Sequence, residues 1–409
     1  MFRQFAVPAG APRRLVLASL LMTAGNGAFM TCSALYFTRV GGLSPAQLGL
    51  GLTIAGALGL FAGVPLGHLA DRLGPREVAV ALVALNGVAA AGYLFVRGFW
   101  AFVVVAGVFV VAERGSRAAI QALTAGLLEG DELVRIRAVV RSVNNVGVAV
   151  GALVAGLALQ IGTTGPLSAV LVLDALSFFC SAAVLARVRA VAPAAASAEG
   201  PPSLSVLRDG PFALFTALSG VLALHTVLLE IAVPLWIVTH TDAPTAMVTA
   251  LFLVNTVSVA LFQVRVATRV DTLDRAVKAS RLAGLALLGA CALFATSSTG
   301  SAVFAALALV AAGLVHVWAE MLASAAAWTI SYTLAPASRQ GQYQGFFFTG
   351  YAASVMVAPT ALTLLLIQWG APGWWVLGGL FVAASLAMGP VVAWARRVGA
   401  RHESSVAAA

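Results

Sequence analysis

Apolar runs of about twenty residues alternate with short polar turns along the whole chain. A helix needs about 20 apolar residues to cross roughly 30 Å of hydrocarbon at 1.5 Å per residue. The pattern predicts twelve membrane-spanning helices, near residues 14–38, 46–69, 78–96, 99–124, 138–161, 166–186, 212–239, 246–268, 279–296, 302–329, 342–368 and 374–395.

One connection is much longer than the others. Residues 187–211 are rich in Ala, Pro and Ser and have no hydrophobic period that would pack against a bundle. This segment divides the spans six and six. We therefore expect an N-terminal bundle at 1–186, a cytoplasmic linker at 187–211, a C-terminal bundle at 212–395 and a cytoplasmic tail at 396–409.

The composition agrees with this pattern. Hydrophobic residues make up 61% of the chain and charged residues only 10%, whereas a soluble domain has about 25% charged residues. The sequence predicts an all-α integral membrane protein. The three cysteines lie far apart in apolar runs, which favours packing over a disulfide framework or a metal cluster. The basic N-terminus precedes an apolar run without a cleavage site, so we expect a retained first helix.

The arginines predict the orientation. Arg39 and Arg97 fall on one side of the predicted membrane and Arg114 and Arg117 inside the fourth span, while the rest of the 24 Lys and Arg residues lie on the opposite side. Both termini are therefore expected in the cytoplasm. We interpret the net charge of +9 as this asymmetry together with contact to membrane lipid, with no nucleic-acid partner. The excess of Arg over Lys is typical of a GC-rich bacterial genome, and we expect a monomer in a bacterial cytoplasmic membrane.

The turn between spans two and three reads "GHLADRLGPRE", residues 67–77. It resembles the signature G-x-L-A-D-R-x-G-R-[KR] of the major facilitator superfamily, with Pro75 in place of a basic residue. The matching positions are Gly67, Leu69, Ala70, Asp71, Arg72, Gly74 and Arg76. Span eleven, "GQYQGFFFTGYAASVMVAPTAL", is similar to the corresponding helix of bacterial drug and metabolite exporters of that superfamily.

Asp71 needs a partner, because an acid at the C-terminal end of its own helix opposes the helix dipole. Gly67 permits close approach of a neighbouring helix. The resemblance implies that Asp71 faces the N-terminus of span eleven and an arginine of span four, either Arg114 or Arg117. It implies a cytoplasmic gate formed by Gly67, Asp71, Arg72, Gly74, Arg76 and Arg117. A solvated turn that anchors topology remains the alternative.

The second half contains a weakly similar copy of this motif. The segment "VRVATRVDTLDRAVKASR" between spans eight and nine is basic and contains Asp271 and Asp274, but it has no glycines. It favours two parallel halves related by duplication.

Charged side chains within the spans require an explanation, because each costs about 2.5–3.5 kcal/mol at the bilayer centre. Apart from Asp174 in span six, they occupy spans four, seven and ten. With span one, which carries Asn26, these are the first helices of four three-helix repeats, and in the superfamily these helices line the central cavity. The charged and histidine residues are Glu113, Arg114, Arg117, Asp174, His225, Glu230, His316 and Glu320.

The spacing of these residues indicates which can meet. Glu113 with Arg117, and His316 with Glu320, are four residues apart and share a helix face. The first pair fits a self-neutralising structural role as well as a functional one, and the second favours function, since histidine titrates near neutral pH. The proton-coupling candidates are Glu230, Glu320, His316 and Glu113.

Glu230 lies five residues from His225, about 140° around a regular helix, so it must find a partner on another helix or in water. We expect a structural role for Asp174, with Ser177 one turn away.

The candidates for lining a substrate cavity are Asn26, Tyr36, Arg114, His225 and Trp318. For the aromatic residues, interfacial anchoring or helix packing is the alternative. In span five, Gly147 and Gly151 predict a close-packing face.

The sequence has no phosphate-binding loop, no metal cluster and no nucleophile with a base at recognisable spacing, so we expect neither an enzyme nor a cofactor. The leading hypothesis is a secondary active transporter that exports a small amphipathic compound by alternating access, with proton antiport. The alternatives are an uncoupled facilitator or uptake transporter for a sugar or other small metabolite, and a membrane sensor or scaffold. The expected partners are a small-molecule substrate, protons and lipid.

Overall fold

The computed structural model describes residues 7–161, 163–192 and 205–407. It is all-helical over these ranges and separates into two compact units. Unit 1 contains Met1–Leu204 and Ala335–Thr349, and unit 2 contains Ser205–Leu334 and Gly350–Ala409. The short segment Ala335–Thr349 therefore groups with the first unit, although it follows most of the second unit in the chain.

Twelve helices among the described residues are long and apolar enough to cross a membrane, which confirms the predicted number of spans. We label them α1 to α12 in chain order: Ala11–Arg39, Gln47–Leu73, Pro75–Phe95, Phe99–Leu127, Gly130–Ile161, Thr164–Ala186, Gly210–His240, Ala246–Ala267, Leu273–Thr296, Ala302–Leu334, Ala337–Gln368 and Ala371–Val398.

Several helices begin before the apolar run that predicted them. Helix α5 starts at Gly130 with Asp131 and Glu132 in its first turn, where acidic side chains favour the positive end of the helix dipole. Helix α9 starts at Leu273, after Thr272 accepts a cap hydrogen bond from the amide of Arg275. These turns are polar, so a count of apolar residues alone misses them.

Unit 1 is held together by close approach of α1 to α5 and by an aromatic cluster. A Cβ atom at Gly147 would overlap the Thr23 side chain, and one at Gly151 would lie 2.6 Å from the Ala28 nitrogen. The predicted close-packing face of span five is thereby confirmed. The aromatic cluster consists of Phe29, Tyr36, Phe37, Tyr93, Phe102 and Phe109.

Unit 2 has a core of large aromatic side chains. The indole N–H of Trp236 donates to the carbonyl oxygen of Phe294 and to Ser297 Oγ, both at 3.0 Å. Trp374 contacts both Trp236 and Phe294. All three aromatic rings are fully buried, so Trp236 serves packing in unit 2.

Helices α7 and α11 each contain a turn with π-helical hydrogen bonding, at Leu228–Ala232 and Thr363–Gln368. In α7 the regular helix ends at Ala223. The amide of Leu224 donates to the oxygen of Val221, and the oxygen of Leu224 accepts from the amide of Val227, so both hydrogen bonds join residues three apart before the π turn begins. Such wide turns recur at functional sites in helices. The π turn in α7 contains Glu230. The angle of about 140° between His225 and Glu230 was expected for a regular helix of 3.6 residues per turn, and α7 is not regular between these residues.

The two ends of the predicted linker pack against helices. Val188 and Val206 are buried, and Arg76 donates to the carbonyl oxygen of Val188 at 3.3 Å. Arg14 also donates to the carbonyl oxygen of Arg187. The expectation that 187–211 buries no apolar side chain is therefore wrong at these ends. The middle of the linker, 193–204, lies outside the described residues.

Candidate functional site

The Asp71 carboxylate binds the first turn of the α-helical part of α11, which starts at Gln340. Its Oδ1 accepts from the amide of Gly341 at 2.7 Å, and its Oδ2 accepts from the amide of Gln342 at 2.9 Å. Asp71 is buried. The helix dipole at the first turn of a helix favours an anion. One carboxylate thus satisfies two buried donors.

Glycines on both helices allow this approach. A Cβ atom at Gly67 would overlap the carbonyl oxygen of Gly341, and one at Gly63 would lie 2.8 Å from the carbonyl oxygen of Gly345. Along α2, Gly63 and Gly67 are four residues apart, and along α11, Gly341 and Gly345 have the same spacing. Small residues at this spacing let two helix backbones come into contact. The crossing and the Asp71 contact lie within unit 1.

Two arginines stand near this region in different roles. Arg117 binds Glu113 one turn away on α4 at 2.5 Å, and Arg339 acts electrostatically on Asp71. The resemblance implies Arg114 or Arg117 as the partner of Asp71, whereas the structure adds Arg339. The signal was available, because Arg339 lies two residues before the "GQYQG" segment that starts at Gly341. Arg114 is half-buried, and its stem packs near Gly59 of α2.

The remaining motif residues shape the turn between α2 and α3. Gly74 has a φ of 104°, a conformation that glycine adopts without strain. Pro75 then occupies the first position of α3, where its missing N–H has no helical partner to lose. Arg76 pairs with Glu77 at 2.7 Å, and Arg72 is exposed. Pro75 therefore starts the next helix where the signature has a basic residue.

The two cavity candidates of α1 have different surroundings. Tyr36 is buried, its ring meets Phe37 edge to face, and its hydroxyl donates to the carbonyl oxygen of Leu94 at 3.5 Å. These contacts assign Tyr36 to packing in unit 1. Asn26 is half-buried and stays a candidate.

In unit 2, His316 of α10 meets the irregular part of α7. Its Nε2 lies 3.1 Å from the backbone oxygen of His225, and since a carbonyl only accepts, Nε2 carries the hydrogen. Both histidines are buried and their rings are edge to face at 5.5 Å. The neighbouring helix thus satisfies a carbonyl where α7 departs from regular hydrogen bonding. The Nδ1 atom of His316 is buried and has no hydrogen bond among the described residues, and Glu320 interacts with His316 electrostatically.

Glu320 has a hydrogen-bond partner on another helix that was not among the predicted site residues. The side-chain amide of Asn255 on α8 donates to Glu320 Oε2 at 2.7 Å. The carboxylate of Glu230 on the π turn of α7 interacts electrostatically with Glu320. Three helices of unit 2 therefore bring two acids and an amide together. The sequence signal for Asn255 is an amide within an apolar span.

Trp318 does not join this group. Two residues along a helix correspond to about 200°, so Trp318 points away from His316 and Glu320. Trp318 is 41% exposed, whereas Glu320 is 9% exposed. The structure does not bring this cavity candidate together with the acids of unit 2.

The weakly similar copy of the Asp71 motif in unit 2, which contains Asp271 and Asp274, makes different contacts. Asp271 binds Arg275 at 2.7 Å, and Asp274 binds Arg396 of α12 at 2.9 Å. The hydrogen bond from Arg275 lowers the pKa of the Asp271 carboxyl below its usual range. These acids bind guanidinium groups, whereas Asp71 binds backbone amides.

Across the described ranges, no group of three or more His, Cys, Asp or Glu side chains is arranged to hold a metal ion.

Comparison with known structures gives the same fold at low sequence identity. The chain is similar to a bacterial homologue of the iron transporter ferroportin in an outward-facing state, with a TM-score of 0.75, 16% identity, and coverage of 95% of this chain and 99% of that one. It is similar to the human organic anion transporter MFSD10, with a TM-score of 0.65, 17% identity and coverage of 92% and 98%.

A third similar structure is the proton:xylose symporter XylE bound to 6-bromo-6-deoxy-D-glucose, with a TM-score of 0.66, 14% identity and coverage of 93% and 95%. No curated protein sequence gives a significant match. A model of the Major Facilitator Superfamily matches residues 15–359. With twelve spanning helices and a motif whose acid binds the start of span eleven, this chain belongs to the Major Facilitator Superfamily of transporters.

Proposed function

We propose that this transporter exports a small amphipathic compound in exchange for protons, by alternating access. The observation that carries the proposal is the group formed by Glu320, Asn255 and Glu230 in unit 2. A transporter driven by protons needs a group that binds and releases them within the membrane. Two acids from different spans, placed within electrostatic reach, supply such a group.

The chemistry of this group suits a single exchangeable proton. Two neighbouring carboxylates repel each other, so binding one proton relieves the repulsion. The amide of Asn255 can stabilise the ionised form of Glu320, and His316 lies one turn away. Glu230 is exposed within its unit and Glu320 is nearly buried. We assign proton entry to Glu230 and proton storage to Glu320.

The substrate class is proposed from the polar groups that remain within apolar helices. Asn26, Arg114 and His225 could bind the polar part of a compound whose apolar part lies against the helices. Two structures of similar fold are described as a transporter of organic anions and a proton:xylose symporter. These descriptions are consistent with an organic substrate and with proton coupling.

The topology belongs to the same proposal. We place both termini in the cytoplasm of a bacterium, with the domain limits 1–186, 187–211, 212–395 and 396–409, and we propose a monomer surrounded by lipid. The support is the position of the arginines, which cytoplasmic loops retain.

Inverted membrane vesicles that hold an acidic interior test this function. A panel of amphipathic cations, amphipathic anions and sugars is added, and the internal pH and the accumulated compound are followed together. We expect at least one amphipathic compound to accumulate and to raise the internal pH. Vesicles without the protein and vesicles treated with a protonophore are the controls. Movement of a compound without a pH change would favour an uncoupled facilitator, and a lack of movement across the panel would contradict export.

A further inference from the structure

Asp174 of α6 is a fully buried acid in unit 1 whose carboxyl group has no partner among the described residues. The side chain is 0% exposed, and neither carboxyl oxygen has a hydrogen bond. A buried polar group without a hydrogen bond is unfavourable, and a buried charge without a partner is much more so. Asn or Ser would be easier to accommodate at this place, so the acid requires an explanation.

The carboxyl group occupies a space that only glycine leaves open. A Cβ atom at Gly25 of α1 would lie 2.7 Å from Asp174 Oδ1 and would overlap Ser177 Oγ. The Ser177 hydroxyl donates to the backbone oxygen of Asp174 at 2.7 Å, so it does not satisfy the carboxyl group. The acid therefore points at the backbone of α1, at the residue next to Asn26.

The charged and titratable groups that face Asp174 come from three other elements. Glu113 of α4 acts on it as a like charge, and Cys32 of α1 and Tyr93 at the end of α3 also interact with it electrostatically. Glu113 is bound by Arg117. In this arrangement one carboxylate has a guanidinium partner and the other has none.

We propose that Asp174 is a proton-binding site of unit 1, separate from the acids of unit 2. In the conformation described, the carboxyl group holds its proton, because a second negative charge beside Glu113 in a dry, unpartnered space is unfavourable. The proton leaves to water when α1 moves away from α6 at Gly25, and the carboxylate is then hydrated. This assignment replaces the structural role expected from the sequence, and it does not depend on Glu230 or Glu320.

Infrared spectroscopy of the purified protein in lipid tests the site without a transported substrate. The measured signal is the C=O stretching band of a protonated carboxyl group, followed from acid to alkaline pH. Labelling aspartate with 13C at the side-chain carboxyl distinguishes Asp from Glu. We expect a 13C-sensitive component that persists at pH values where the exposed aspartates are ionised, is lost as the pH rises further, and is absent from Asp174→Asn. Asp71→Asn and Ser177→Ala should keep it.

Two further results decide the assignment. In Glu113→Gln the like charge is removed and Arg117 is released, so the band should disappear at lower pH than in the wild type. If the Asp174→Asn protein does not fold, the Glu113→Gln shift of the 13C-sensitive band serves as the test. A band that persists at every pH at which the protein stays folded would show a permanently neutral structural acid. A 13C-sensitive signal that titrates only with the exposed aspartates, and that is the same in wild type and Asp174→Asn, would show that Asp174 holds no proton beyond their range. Either outcome overturns the proposal.

Discussion

Asp71 Oδ1 accepts a hydrogen bond of 2.7 Å from the backbone amide of Gly341, 270 residues later in the chain. The same carboxylate accepts from the next amide, so it acts as an external cap for α11. This helix starts with residues that group with unit 1 and continues with residues that group with unit 2. We propose that this cap is a gate, and that it forms and breaks at the first turn of α11 during the transport cycle.

Asp71→Asn should impair transport while the protein remains folded. The amide side chain keeps one acceptor but presents N–H groups to a second donor and loses the negative charge. The lost interaction is worth about 1–2 kcal/mol, which corresponds to roughly a tenfold change in the balance between conformations. The measurement is the initial transport rate of purified protein that elutes as a single species. Asp274→Asn, which changes an exposed acid in the corresponding turn of unit 2, is the matched control. Equal rates for Asp71→Asn and wild type would show that the contact is not a gate.

Gly67→Ala should lower the thermal stability of the protein in detergent. The added Cβ atom meets the carbonyl oxygen of Gly341, and overpacking of this kind costs about 1–3 kcal/mol. Gly56→Ala on the same helix is the control, because a Cβ atom there has nothing within 4 Å. Alanine favours the helix by up to about 1 kcal/mol over glycine, so Gly56→Ala should be neutral or stabilising. Equal unfolding temperatures of the two variants would contradict the close crossing of α2 and α11.

Particular residues show how far the sequence alone could go. The number of spans and the approach of Asp71 to the start of span eleven follow from hydropathy and from one well-matched motif. Asn255 and Arg339 are visible in the sequence as an amide within an apolar span and a base near the start of span eleven, but which acid each one meets depends on which helices become neighbours. The π turn in α7 was missed, since regular periodicity contains no signal for an extra residue in a turn.

Asn255→Ala should move the pH profile of transport to higher pH. The ionised Glu320 loses a hydrogen-bond donor, which favours the protonated form over a wider range. Thr256→Ala, at the adjacent half-buried position, is the control for local packing in α8. Transport driven by an imposed pH difference is measured at several pH values for both variants. If the two profiles coincide with that of the wild type, Asn255 does not position the coupling acid.

The linker should tolerate insertion only in its middle. A flexible insertion within 193–204, which is rich in Ala, Pro and Ser, should leave transport unchanged. Val188→Asp should reduce the yield of folded protein, because it places a charge at a buried apolar position. Yield and elution profile are compared for the two variants. Loss of folded protein on insertion would show that the linker has a structural role of its own.

The most direct test of proton coupling compares two kinds of transport by the variants Glu230→Gln and Glu320→Gln in proteoliposomes. Counterflow exchange of substrate requires binding and conformational change but no net proton movement, whereas accumulation driven by a pH difference requires coupling. We predict that both variants retain counterflow and lose pH-driven accumulation, because glutamine keeps the shape of the side chain and cannot carry the proton. Retention of full pH-driven accumulation by both variants would contradict the assignment of coupling to these acids.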